Sequence, residues 1–297
     1  MVRIIAQALR LHQWAKNLLL AAPLFAAHLI LNLEAWKNLI AAFFCFGLVA
    51  SATYLVNDLV DLKSDRLHAQ KKFRPLASGR LPIPAGLLLS IALGSLGFVL
   101  AIKLLPPEFF QYLVGYAVLT LSYTFVLKRQ LLVDVLALAI LYTLRILAGG
   151  VAIGVVVSEW LLMFSFFIFL SLAFLKRFIE LDGSEGRAQL AGRGYFPVDL
   201  ETMRTAGVCS GLLATLVLSL YISSSAVSQL YRSPQVLWLL GPLLVYWIAR
   251  IWFLAARREV HHDPVVFALV DWRSYAVGAI GLAIILLAKI GPVEMNW

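Results

Sequence analysis

The chain has 297 residues, of which 62% are hydrophobic and 14% charged, and its formal net charge is +9. Soluble domains carry nearer half apolar and a quarter charged residues, so this composition excludes that class and describes a polytopic membrane protein. The charge does not mark a nucleic-acid binder, because the basic residues are spread over alternate loops and form no single patch.

Windows of about twenty apolar residues predict nine spans, at roughly 17–33, 37–57, 84–104, 109–127, 131–154, 158–176, 205–224, 235–254 and 274–290. The first, short and containing Pro23, has the length of a signal-peptide core. Eight more spans follow it and no clear cleavage site does, so it reads as an uncleaved membrane helix. With a cytoplasmic N-terminus, twenty of the 25 Lys and Arg fall on the inner side, against Lys37, Lys103, Arg232 and Lys289 outside and Arg145 within a span. That asymmetry is the positive-inside pattern. Cys45 and Cys209 fall within spans without metal-ligand spacing and read as small apolar core residues.

Gln13-Trp14-Ala15-Lys16-Asn17 precedes the first span. It is either an interfacial anchor of Trp and Lys or a segment whose Lys16 and Asn17 reach a phosphate. The second span runs through Tyr54 into Asn57-Asp58-Leu59-Val60-Asp61-Leu62-Lys63-Ser64-Asp65. Asp58, Asp61 and Asp65 are three and four apart and form one acidic stripe on a helix. Carboxylates at the end of a membrane helix need compensating cations. Mg²⁺ suits them, since it takes one or two protein carboxylates and completes its shell with water and substrate phosphates. The basic run that follows, Arg66, Lys71, Lys72, Arg74 and Arg80, lies in a loop rich in Pro and Gly. Beside three acids at a membrane face it reads as a site for a metal-bound polyphosphate, with a solvated charge run as the alternative.

Ser122 to Arg129 is a short basic connection holding Tyr123 and Lys128, and it either fixes topology or joins the site. Asp134 and Arg145 share a face of the fifth span but lie three turns apart, about 16 Å along the axis. They cannot pair, so Arg145 is expected to point into a polar interior, and Gly149 and Gly150 permit close helix packing. The sixth span ends in Lys176-Arg177-Phe178-Ile179-Glu180, where Arg177 and Glu180 can pair three apart. At an offset of 120, Ser51, Leu55, Ser64 and Asp65 echo Ser171, Leu175, Ser184 and Glu185, a faint sign of internal duplication. The glycine-bearing segment from Gly183 to Thr205 has the length of a lid or binding loop. His261 and His262 are adjacent in sequence, which is poor geometry for a shared metal on a helix.

Asn57-Asp58-x-x-Asp61-x-x-x-Asp65, Arg74-Pro75-Leu76-x-x-Gly79, and Tyr123 with Lys128, in a nine-span chain, resemble the UbiA superfamily of intramembrane prenyltransferases. The resemblance implies an all-α fold of nine transmembrane helices, a single domain over 1–297, around a central cavity with a cytoplasmic polar cap in a bacterial-type plasma membrane. It implies that Asn57, Asp58, Asp61 and Asp65 hold Mg²⁺, and that Arg74 and Lys128 contact diphosphate oxygens, with Tyr54, Arg66, Lys72 and Tyr123 as further substrate-binding candidates. Quinone-forming members carry a second aspartate-rich motif where this chain has Lys176-Arg177-x-x-Glu180-Leu181. With Gln13-Trp14-x-Lys16-Asn17, that departure is similar to the decaprenyl-phosphate phosphoribosyltransferase branch. The implied partners are a polyprenyl phosphate and phosphoribosyl diphosphate, with pyrophosphate released and a separate phosphatase acting afterwards. Two phosphorylated substrates bring more negative charge than an aromatic acceptor, and Lys176, Arg177 and Lys16 would supply the counter-charge. Glu180 would bind a ribose hydroxyl, ligate a second metal or position Arg177. The alternatives are a prenyl transfer to an aromatic ring and a non-catalytic lipid transporter.

Overall fold

The computed structural model describes residues 2–67, 70–183, 193–260, 263–268 and 270–290, and all their regular structure is helical. The chain divides into two compact units, Met1–Val157 and Ser158–Trp297. Seven helical stretches among the described residues are long and apolar enough to cross a membrane.

The first unit contains α1 (Val2–Leu9), a 3-10 helix (Leu11–Ala21), α2 (Ala22–Ala26), α3 (Leu33–Val60), α4 (Leu62–Leu67), α5 (Ile83–Leu104), α6 (Pro107–Phe125) and α7 (Val133–Ala152). α3 is the axis of this unit. The Asn32 side chain caps it by accepting from the Ala35 N–H at 3.1 Å, and its 28 residues rise about 42 Å. It packs on α5 through small residues. A Cβ at Gly97 would stand 2.8 Å from a Val49 methyl, and the Ser90 hydroxyl donates to the Ala52 carbonyl at 3.0 Å. The other side of α5 turns Leu88, Ile91 and Ile102 outward, as a lipid-facing surface requires.

Two expected spans differ. The stretch at 17–33 is no continuous membrane helix: the 3-10 helix reaches Ala21 and α2 ends at Ala26. Pro23 stands near the start of α2, where its missing N–H costs nothing. The 109–127 span exists as α6, 19 residues long, but Gln111, Tyr112, Tyr116, Thr120, Ser122, Tyr123 and Thr124 make it more polar than the seven. The 3-10 helix lies against α7 so closely that a Cβ at Gly149 would overlap the Leu20 backbone. A 3-10 turn holds three residues, so Trp14, Asn17 and Leu20 share one face.

The second unit contains α8 (Glu159–Asp182), α9 (Leu200–Ile222), α10 (Ser225–Leu230), α11 (Leu240–Ala256), α12 (Pro264–Ala268) and α13 (Trp272–Ile290). α9 turns Gly207 and Gly211 toward α8 and α11, with Trp252 and Ile248 in the recesses. Cys45 is buried as expected, whereas Cys209 faces outward on α9 and is not a core residue. The expected 183–205 loop is shorter, because α9 begins at Leu200; Ser184 to Gly192, with the Ser184 and Glu185 matches, lie outside the described residues, as do His261 and His262. Arg250 on α11 donates to both oxygens of Asp271 at 2.6 and 2.9 Å, and the Ser274 N–H and hydroxyl donate to it at 2.9 Å.

Two expectations concern stability. Replacing Gly149 with Ala puts a methyl into backbone and costs about 1–3 kcal/mol; the variant unfolds several degrees below the parent in detergent, while Gly115→Ala, which meets open space, does not. The hydrogen bonds from Arg250 hold the Asp271 carboxyl below its ordinary range. A lowered folded-state pKa stabilises above the unfolded value and loses that contribution as pH falls through the folded one. The gap in thermal midpoint between parent and Asp271→Asn is therefore full at pH 6–7 and closes below about pH 4.

Candidate active site

Helical hydrogen bonding carries the acidic stripe almost unbroken out of α3. The Asp61 N–H donates to the Asn57 carbonyl at 2.9 Å and the Asp65 N–H to the Asp61 carbonyl at 2.8 Å, so α4 continues the face of α3 past the break at Asp61. Asp58 and Asp65 end up buried, 4% and 3% exposed. Carboxylates that deep require cations, and the fold brings them from three separate segments.

Arg74 bridges two acids: its Nη1 lies 3.2 Å from Asp58 Oδ1 and 2.5 Å from Asp65 Oδ2. Pro75 disfavours a helical conformation at Arg74, which is extended (φ −60°, ψ 147°). Beyond it the chain turns, with Ser78 N–H on the Arg74 carbonyl, Leu81 N–H on the Pro75 carbonyl, and Gly79 at φ +75°. Pro75, Leu76 and Ala77 are buried by this turn while Arg74 reaches the stripe. Arg10, at the corner between α1 and the 3-10 helix, also pairs with Asp58 and lies over the Tyr54 ring, 5.4 Å from its centroid. Its left-handed backbone, φ 51° and ψ 48°, is costly for a side-chain-bearing residue. Lys128, 5% exposed, holds Asp61 at 2.7 and 2.8 Å and the Asn57 Oδ1 at 3.3 Å. Three carboxylates and three cations thus form a formally neutral cluster.

A second polar group lies inside the same unit. Arg145 of α7, 4% exposed, donates from Nε to Asn17 Oδ1 at 3.2 Å, from Nη1 to the Leu141 carbonyl at 2.6 Å and from Nη2 to the Tyr116 hydroxyl at 3.0 Å. It stacks over Tyr116 and Tyr142, and the Lys16 Nζ lies 5.5 Å from the Tyr142 centroid. Trp14 fixes this segment: its ring fills the recess at Gly47, and its indole N–H donates to Ser51 Oγ at 2.9 Å. The Gln13–Asn17 segment is therefore packed into the unit through Trp14, Lys16 and Asn17. Asp134, fully buried, forms no ion pair with Arg145.

In the second unit Lys176 pairs with Asp263 at 2.9 Å, Arg177 pairs with Glu180, and Arg258 holds Asp182 at 2.7 and 3.2 Å. Trp252 donates to Ser171 Oγ at 3.1 Å and packs beside Gly207 of α9. Of the echo's described residues, Ser51 and Ser171 each accept from a tryptophan indole and Leu55 and Leu175 are both fully buried; the glycines beside the two tryptophans do not keep the offset of 120. Arg66 is exposed and donates to the Ala77 carbonyl, Lys72 is exposed over the Phe73 ring, and Tyr123 is half-buried on α6. Sequence reasoning missed Arg10 and Asp263, whose partners lie 48 and 87 residues away with no periodicity to connect them.

Residues 18–287 match the UbiA prenyltransferase family. The chain belongs to that family and is a transferase embedded in the membrane. It is 39% identical to the protein y4nM of Sinorhizobium fredii over 275 residues, 92% of this chain, and spans 53% of that protein's length. It is 34% identical to the nodulation protein NoeC of Azorhizobium caulinodans over 94% of this chain and 90% of that protein. It is 40% identical to the decaprenyl-phosphate phosphoribosyltransferase of Corynebacterium glutamicum over 180 residues, 59% of this chain and 54% of that protein. In fold it is similar to a UbiA homolog from Archaeoglobus fulgidus bound to GPP and Mg²⁺, with a TM-score of 0.72 and 18% identity over 95% of this chain and 99% of that one.

The donor set here fits Mg²⁺ in kind. Asp58 and Asp65 already hold one cationic nitrogen between them, and Asn57 and Asp61 hold another; hard oxygens, one or two carboxylates to a cation, suit this metal. Among the described residues no three acidic, His or Cys side chains converge on one point, so the stripe presents two pairs. Removing Arg10 should expose the competition between protein cations and metal. Asn tolerates left-handed backbone, and Arg10→Asn costs about 1–3 kcal/mol, less than a fully broken buried pair because Arg74 remains on Asp58. Millimolar Mg²⁺ raises its thermal midpoint more than the parent's; equal shifts would place the metal away from Asp58.

Proposed function

We propose that the chain transfers 5-phosphoribose from phosphoribosyl diphosphate to a polyprenyl phosphate and releases pyrophosphate. The observation that carries this reading is the charge of Arg145: the stripe is already neutralised by Arg10, Arg74 and Lys128, yet the first unit holds a further buried guanidinium in Arg145, whose hydrogen-bond acceptors are all neutral, with the buried Lys16 on the neighbouring segment. An aromatic acceptor offers them little charge, whereas a second phosphorylated substrate does. The likeness to the Corynebacterium phosphoribosyltransferase supports the same reading.

In this mechanism Asp58 with Asp65, and Asp61 with Asn57, would hold Mg²⁺ as two pairs, and Arg74 and Lys128 turn from their carboxylates to the donor's diphosphate oxygens. A bound Mg²⁺ would supply charge stabilisation to the departing pyrophosphate. A lipid phosphate oxygen forms the new bond to C1 of the ribose as the bond from C1 to the diphosphate oxygen breaks, and the bonding pair leaves with pyrophosphate. The acceptor is already an anion, so no general base is needed. Within the second unit Glu180 positions Arg177. The stripe faces the cytoplasm, where the soluble donor is available.

The test is purified protein in detergent with Mg²⁺, polyprenyl phosphate and labelled phosphoribosyl diphosphate. Label enters the organic phase, and Asp58→Asn lowers the rate by about a hundredfold or more, the scale on which removed charge stabilisation acts. No label, under conditions where a prenyl diphosphate and an aromatic acceptor do react, returns the chain to ring prenylation.

A further inference from the structure

We propose that Lys16, Asn17 and Arg145 form the seat for the monoester phosphate of the lipid acceptor, an inference that deepens the phosphoribosyl-transfer reading and rests on it. Arg145 is the starting point. Its three hydrogen-bond acceptors, an amide oxygen, a backbone carbonyl and a phenol, are all neutral. No carboxylate among the described residues pairs with it, although it is 4% exposed. A guanidinium at that depth without a counter-ion is an unbalanced charge.

Asn17 supplies the independent observation. It is 1% exposed, and its Nδ2 has no hydrogen-bond partner. The amide cannot be exchanged end for end, because the Arg145 Nε–H requires the oxygen where it stands. An orphaned buried donor is destabilising, and an anion beside Arg145 would satisfy it and the guanidinium together. The Lys16 ammonium, one residue earlier, is drawn to the same place by Tyr142. The cations Lys176 and Arg177 of α8, by contrast, already have carboxylate partners in Asp263 and Glu180.

The seat also has the right neighbours for a lipid headgroup. Tyr54 stands one helical turn before Asp58 on α3 and underlies Arg10, which pairs with that acid. On the other side, Tyr116, which bonds Arg145, lies 5.0 Å from the Phe46 ring, and Phe46 meets Phe109 at 5.8 Å. A phosphate held by Arg145 is thus bordered by aromatic core through Tyr116, as suits an amphiphile with a long apolar tail. The soluble donor also carries a monoester phosphate, so the two sources must be separated by experiment.

Asn17→Asp is the informative variant. It is isosteric, gives Arg145 a counter-ion and so preserves the fold, but sets a negative charge where the phosphate belongs. Purified protein in detergent with chelator is titrated calorimetrically with farnesyl phosphate and separately with ribose 5-phosphate; phosphoribosyl diphosphate is titrated with Mg²⁺. The parent binds farnesyl phosphate. Asn17→Asp weakens that binding by about a hundredfold, given the several kcal/mol that like charges impose. Lys16→Met weakens it by about tenfold, Lys16→Arg restores it, and donor binding is unchanged throughout. Unchanged farnesyl phosphate binding in Asn17→Asp overturns the proposal and leaves the cluster a structural one. Loss of ribose 5-phosphate or donor binding instead assigns the seat to the soluble substrate and also overturns it. If farnesyl phosphate binds in this Asn17-dependent way but no label passes from phosphoribosyl diphosphate to lipid, the seat stands and the phosphoribosyl reading fails.

Discussion

The structure of the first unit depends on compensating Asp58 and Asp65, two carboxyl groups buried where a 28-residue apolar helix ends. Neither acid could be left there alone, because desolvating an uncompensated carboxylate consumes a large share of a typical domain's stability. The chain answers by folding three distant segments onto the end of α3. The N-terminal corner brings Arg10, the turn at Pro75 brings Arg74, and the short connection after α6 brings Lys128 to Asp61. Much of the local architecture, including a left-handed arginine and a glycine at φ +75°, follows from delivering those three charges.

The same arrangement suggests why a transferase would store its cations this way. Guanidinium and ammonium groups held by carboxylates are preorganised near the place where phosphate oxygens arrive, and exchanging one set of oxygen partners for another requires little reorganisation. A cluster that is neutral before substrate binds also avoids a standing charge in a low-dielectric setting. Arg145 differs from this pattern, since its partners are neutral and its charge is unspent.

The sequence made part of this legible. The spacing of Asp58, Asp61 and Asp65 announced a shared face because helical periodicity is local, and Arg74 was legible through the Arg74-Pro75-Leu76 motif and the resemblance that it carries. Arg10 and Asp263 were not, because a single charged residue carries no record of a partner dozens of positions away. The first apolar stretch misled for a different reason: hydropathy measures transfer to lipid, and residues 17–33 are apolar enough to score as a span while the chain there folds as a 3-10 helix to Ala21 and a short α-helix to Ala26. The polar face of α6 disclosed nothing about Tyr116 until Arg145 was seen to use it.

The 3-10 helix from Leu11 to Ala21 has a consequence for what changes this protein can accept. Its three-residue turn works like a toothed rack, with Trp14 engaged at Gly47, Asn17 at Arg145 and Leu20 at Gly149. Side chains between the teeth can vary, but inserting or deleting one residue there turns every later tooth by about a third of a revolution. Length is therefore more tightly constrained than identity in this segment, and divergence within it should proceed by substitution rather than by gain or loss of residues.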